Sequence, residues 1–195
     1  MAGSTNSQQA VLLPFDEQTA LSNTAIILNL APLYAALSLA DCNIEGAVVC
    51  CENMVLLQRG NQQQGSALLI VSLEDFLTSD AAVFAKKPPQ MIPVSLPKIN
   101  DVPLTFTDGA LLSNGNILFS AVAEATNDSY NDGACMGTAI GEITACGELL
   151  RCEILQEIHK IEGIAIAQDG LLAVTDADDP DIAALLLIIT FPLDA

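Results

Sequence analysis

Tryptophan is absent from this 195-residue chain, and aromatic residues make up only 4% of it. Aromatic cages and base-stacking platforms are therefore poorly supplied. Basic residues are almost as scarce. Arg59, Lys86, Lys87, Lys98, Arg151 and Lys160 face 24 acids, for a net charge of −18. Phosphate binding needs clustered Lys and Arg, so this balance argues against a nucleic-acid partner and suits cations instead. There is one histidine, His159, and no C-x-x-C pair among Cys42, Cys50, Cys51, Cys135, Cys146 and Cys152. A zinc site of the usual Cys/His type is thus unsupported. The N-terminus has no basic segment and opens with polar AGSTNSQQ, so no signal peptide is visible. The longest apolar run, Ile182 to Phe191, is too short to span a bilayer and reads as a buried strand. The expectation is a cytoplasmic chain with reduced cysteines and no membrane contact.

What is present is apolar and repetitive. Hydrophobic residues make up 51% of the chain, enough for one domain with a real core. Thr107 to Tyr130 contains an Asp108-Gly109 opening, an apolar run, an Asn114-Gly115 turn and a second apolar run ending at Phe119. Asn-Gly between two such runs is a strong hairpin signal. The pattern occurs twice more, from Glu45-Gly46 to Leu57 and from Glu162-Gly163 to Val174. Glu45, Asp108 and Glu162 lie 63 and 54 residues apart. Self-similarity at roughly this period points to a propeller or another repeat array.

The remaining runs complete the units. Ala10–Phe15 and Thr24–Leu30 read as strands, and Ala31–Leu39 as a short helix. Glu74–Ala85 reads as a helical surface excursion, and Met91–Ile99 as an edge strand, because Pro93 and Pro97 lack ladder donors. Further strands are expected at Gly137–Thr144, Leu149–Ile158 and Ala183–Phe191. With strands labelled A to D, the order becomes C-D, A-B-C-D, A-B-C-D, A-B-C. The expected fold is all-β: a partial β-propeller of about three and a half four-stranded antiparallel blades. A polar tail (1–9) precedes a half-blade (10–40), blades at 44–99 and 101–158, and an incomplete blade (161–192). Propellers usually have four to eight blades. Missing N-terminal blades, or a ring completed by two chains, would account for the shortfall.

The segments NLAPLYAAL, NIEGAVV, LLQRGN, PLTFTDGALL, LFSAVAEATNDSY, DGACMGTAIGEI, KIEGIA and VTDADDP resemble a bacterial family of unknown function with a β-propeller fold. The resemblance spans residues 10–192, and members look longer at the N-terminus. It implies the fold and no activity. More distantly, the acid-Gly openings are similar to those of regucalcin/gluconolactonase-type, paraoxonase-type and phytase-like esterase propellers. The first two of these likenesses imply a divalent metal in the central channel, with Glu45, Asp108 and Glu162 at the matching positions.

Topology gathers the polar residues on one face. The D–A and B–C connections share that face, which brings Glu45, Asp108 and Glu162 near the axis. It adds Arg59 and Asn61 from the first unit, Glu124, Asn127, Asp128 and Asp132 from the second, and Asp176, Asp178 and Asp179 from the third. Three axial carboxylates would repel one another unless a cation or raised pKa values intervened, and Ca²⁺ takes such oxygen ligands. An acid before Gly can equally fix a turn by accepting backbone N–H bonds. His159 lies three residues before Glu162 and could point to the same face. Ser120 and Ser129 lack a nucleophile-elbow context.

Three readings follow. One is a metal-assisted lactone or ester hydrolase, with Ca²⁺ or another divalent cation on Glu45, Asp108 and Glu162 and with Glu124 or Asp128 as base. The second is a non-catalytic propeller that binds a small molecule or a protein. The third is a truncated fragment that self-associates through its incomplete ring.

Overall fold

The structure, a computed structural model, describes residues 8–13, 24–37, 42–59, 65–125, 135–168, 170–177, 179 and 181–191. The chain is all-β, and its antiparallel sheets stack in a partial, propeller-like array. β1 (Gln9–Leu12) and β2 (Ile26–Asn29) pair as a two-stranded sheet. α1 (Ala31–Leu37) follows and buries Leu33 and Leu37, four residues apart on one helical face. The next sheet has the order β3 (Ile44–Cys50), β4 (Asn53–Gln58), β5 (Ala67–Ser72), β6 (Gln90–Pro93), with α2 (Leu73–Thr78) and α3 (Ala81–Lys86) inserted between β5 and β6. A five-stranded sheet follows: β7 (Lys98–Ile99), β8 (Val102–Leu111), β9 (Ile117–Glu124), β10 (Cys135–Ile143), β11 (Leu149–Ile154). The last sheet is β12 (Ile161–Ala167), β13 (Gly170–Thr175), β14 (Leu186–Ile189).

Most of the expected strands appear, with local differences. The expected Met91–Ile99 strand is split: β6 stops at Pro93 at the edge of one sheet, and the two-residue β7 pairs with β8 in the next. The prolines at 93 and 97 supply no donors between them. β11 ends at Ile154 rather than Ile158, and β14 covers only Leu186–Ile189 of the Ile182–Phe191 run. The excursion after β5 is more than a surface feature. Ser72 caps α2 by accepting from the Asp75 N–H at 3.2 Å, and Asp80 caps α3 by accepting from the Ala82 N–H at 2.7 Å. The two helices bury Phe76 and Phe84 in the core shared by α1, β4 and β5. Among the described residues no helix is long and apolar enough to cross a membrane.

Three layers of side chains hold the stack. Leu56, Leu69 and Val71 pack with Leu30, Leu33, Phe76 and Phe84. On the opposite face of the same sheet, Val55, Leu57 and Leu68 meet Phe106, Ile117 and Phe119. The rings of Phe106 and Phe119 meet edge-on at 5.2 Å. The far face of the second sheet sends Leu118 and Ile140 against Ile161, Leu171 and Ala173. β9 is consequently buried along its whole length. β8 runs between β3 and β12. Its approach to β3 is so close that a Cβ on Gly46 would lie 2.9 Å from the Gly109 nitrogen, so that position admits only glycine.

Candidate ligand site at the axial mouth

Each inner strand carries a bulge at its acid. The register slips between Ile44 and Gly46 in β3, and between Ile161 and Gly163 in β12. In β8 it slips between Phe106 and Asp108. A bulge adds one unpaired residue and re-aims its side chain. Glu45 and Glu162 are therefore themselves the extra residues, whereas in β8 the extra residue is Thr107 and Asp108 stays in the ladder.

Asp108 departs from the expectation of a strand entry. β8 starts at Val102, because Val102–Phe106 continue the pairing with β9 through Leu104, Thr105 and Phe106. Asp108 thus sits inside its strand. Its Oδ1 accepts from the Gly109 N–H at 2.7 Å, and its Oδ2 accepts from the Ile164 N–H at 2.8 Å. The carboxylate fastens β8 to β12. Burial pushes its pKa up, against the pull of the bonds from Ile164 and Gly109.

The other charges collect at the mouth. Arg59 follows β4 directly and is fixed there by its backbone. Its N–H donates to the Asn43 carbonyl at 2.8 Å, and its carbonyl accepts from the Gln58 amide at 2.8 Å. The guanidinium bonds Glu124 at the end of β9 and lies 3.6 Å from Glu45 Oε1. Lys160, just before β12, places Nζ 3.1 Å from Glu124 Oε1 and 3.4 Å from Glu162 Oε1. The Glu124 side chain is only 2% exposed, while Glu45 and Glu162 are 25% and 26% exposed and open to solvent. Glu124 Oε1 and Glu162 Oε1 are buried, and the Lys160 ammonium is the cation that faces them both. Burial, reinforced by the like charge of Glu45, pushes Glu162 up to about 7, against the opposing pull of Lys160 and Arg59.

Glu142 shows what a satisfied buried carboxylate looks like in this molecule. Its Oε1 accepts from Asn114 at 3.1 Å and Asn116 at 2.7 Å, and its Oε2 accepts from Arg151 Nε at 2.9 Å. Burial raises its pKa, but these side-chain bonds outweigh it and leave the group below its ordinary value. At the mouth, by contrast, Glu45, Glu124 and Glu162 share Arg59 and Lys160 between them.

Of the residues expected on this face, Glu45, Arg59, Glu124 and Glu162 come together, with Asp108 one step deeper. Asn61, Asn127, Asp128, Ser129, Asp132 and Asp178 lie outside the described residues. Asp176 and Asp179 are exposed, and Asp179 accepts from the Asp181 N–H at 2.9 Å. The His159 ring faces Glu157 at 3.1 Å. Ser120 is buried against the Thr107 hydroxyl at 2.8 Å, so it is not presented as a nucleophile. Lys160 escaped the sequence reading. Aligning Asn43-Ile44-Glu45-Gly46 with Lys160-Ile161-Glu162-Gly163 would have placed it at the mouth.

The expected repulsion among axial acids presumed that no cation was near. Arg59 and Lys160 supply two. Asp108 commits both oxygens to backbone donors, and Glu45 and Glu162 each face a cationic side chain. Among the described residues no three His, Cys, Asp or Glu groups are arranged to hold a metal ion.

Residues 2–180 match a family of unknown function, DUF6910. The chain belongs to the DUF6910 family. No curated protein and no solved structure matches it. DUF6910 membership brings no activity with it.

Proposed function

We propose that this DUF6910 protein is a non-catalytic, propeller-like binding protein whose axial mouth takes a small amine. One observation carries the reading: three carboxylates, Glu45, Glu124 and Glu162, share two cations, Arg59 and Lys160, at the mouth, and burial and the like charge of Glu45 push Glu162 up. An ammonium group entering from solvent between Glu45 and Glu162 adds a third positive charge and relieves the repulsion. The net charge of −18 favours the approach of such a cation. Arg59 and Lys160 remain in place and hold Glu124. The six free cysteines fit a reducing compartment, and we assign the protein to the cytoplasm.

Calorimetric titration distinguishes this reading from the metal-hydrolase one. A small diamine such as putrescine should bind the wild-type chain saturably, and Glu162→Gln should weaken it at least about tenfold, the loss of one charge-assisted bond. Saturable Ca²⁺ binding that activates ester or lactone hydrolysis would overturn it and restore Glu45, Asp108 and Glu162 as metal ligands.

A further inference from the structure

Two of the six cysteines are neighbours in the chain. Cys50 closes β3, and Cys51 opens the short turn to β4, across which Cys50 pairs with Asn53. In an extended strand the two side chains would point to opposite faces. Cys51 instead adopts φ 55°, in the left-handed region that L-residues rarely enter. With the turn so rotated, the two thiols are in hydrogen-bond contact. They differ in access. Cys51 is exposed, whereas Cys50 is only 8% exposed and belongs to the core that holds Val48, Val55 and Phe119. The Cys50 thiol also donates to the Gly115 carbonyl at 3.7 Å, in the turn between β8 and β9. The pair lies at the end of its hairpin away from Glu45 and Arg59.

Two adjoining thiols, one open to solvent and one beneath it, can give up two electrons within a single chain. Cys51 is the sulfur that a peroxide reaches. Its thiolate attacks one peroxide oxygen, the O–O bond breaks, and Cys51 becomes a sulfenic acid; the hydroxide released takes the proton that Cys51 gave up. The Cys50 sulfur then attacks the sulfenic sulfur. An S–S bond forms, the S–O bond breaks, and the Cys50 proton leaves with the hydroxyl as water. In sum, two thiols and hydrogen peroxide give one disulfide and two waters. Burial first, and then the hydrogen bond and charge of Cys51, push the Cys50 thiol up. Oxidation of Cys51 removes that charge, so Cys50 becomes the better nucleophile once its neighbour has reacted. The Cα atoms of neighbouring residues stand about 3.8 Å apart, closer than the roughly 4.4–6.8 Å of ordinary disulfides, so the bond is strained and easily reduced.

We infer that Cys50 and Cys51 form a redox-active dithiol, with Cys51 the peroxide-reactive sulfur and Cys50 the resolving one. Closing the disulfide takes the Cys50 hydrogen from the Gly115 carbonyl and so releases a contact between the β3–β6 and β7–β11 sheets. In a reducing compartment such a bond is transient and serves as a sensor of oxidant.

Peptide mapping of the full chain by mass spectrometry tests this. After brief treatment with equimolar hydrogen peroxide, the wild-type peptide that contains Cys50 and Cys51 should lose two hydrogens and resist alkylation at both sulfurs. Dithiothreitol should restore both thiols. Cys50→Ser should stop at a Cys51 sulfenic acid that dimedone traps, and Cys51→Ser should leave Cys50 a thiol. A wild-type map in which Cys51 proceeds to a sulfinic acid while Cys50 still alkylates overturns the inference. So does a disulfide from Cys51 to any other cysteine, or a Cys51 that does not react. If the buried Cys50→Ser variant fails to fold, the wild-type map and Cys51→Ser, at an exposed position, decide the matter.

Discussion

Burial acts on both Glu142 and Glu162, and they should answer pH in opposite directions. Burial raises Glu162 to about 7 in the folded chain, from an ordinary value near 4.5. The folded state then holds a proton that the unfolded chain has released. Its contribution to stability falls as pH rises from about 4.5 to about 7 and is level above that. Glu162→Gln should flatten this slope and raise the unfolding free energy above pH 7 by up to about 3 kcal/mol, read from urea titrations across that range. Glu142 is held below its ordinary value by Asn116, Asn114 and Arg151. Its contribution is present above the unfolded value and is lost as pH falls through the folded one. Glu142→Gln should therefore destabilise the protein at neutral pH by about 2 kcal/mol, leaving Arg151 without its carboxylate. The reversed signs come from how burial is offset: three side chains donate to Glu142, while at Glu162 burial and the like charge of Glu45 outweigh Lys160 and Arg59.

Among the elements, β8 is the strand on which the others depend. It contacts β3 closely at Gly46 and Gly109, and its Asp108 takes the Ile164 N–H of β12. Asp108→Ala would leave the Gly109 and Ile164 donors unpaired. The expected cost is about 2–4 kcal/mol in urea denaturation, with Asp108→Asn losing about half as much, because one acceptor remains. Hydrogen exchange at Ile164 should accelerate in both variants. The hairpins of these elements were plain from sequence, since Asn114-Gly115 punctuates two apolar runs and Gly115 adopts φ 84°. The full length of β8 was not. Its first half, Val102–Thr107, precedes the acid-Gly opening and resembles a connection until its pairing with β9 is seen. The bulges were equally hidden, because a one-residue slip leaves no mark on composition.

At the scale of the whole molecule, a net charge of −18 on a chain with six basic residues makes self-repulsion a global term. Among the described residues Arg59, Lys87, Arg151 and Lys160 form ion pairs with carboxylates. The remaining acids repel one another through solvent. Raising ionic strength from about 0.01 M to about 0.15 M shortens the screening length from roughly 30 Å to roughly 8 Å. The urea midpoint should rise over that interval at fixed protein concentration. A midpoint that falls would mean that the mouth and Glu142 ion pairs, which salt also weakens, outweigh the diffuse repulsion.

The sequence alone carried the all-β class, four successive groups of antiparallel strands, though not the fifth strand β7 of the third sheet, and the approach of Glu45, Arg59, Glu124 and Glu162 to one another. These follow from local periodicity, turn chemistry and the direction in which antiparallel strands must run. Only the tertiary structure decided that Lys160 joins them, that Asp108 serves backbone donors, and that the buried Cys50 thiol reaches the Gly115 carbonyl. Those outcomes depend on distances between residues far apart in the chain, and no local pattern encodes which cation comes to rest between two carboxylates or which carbonyl a buried thiol meets.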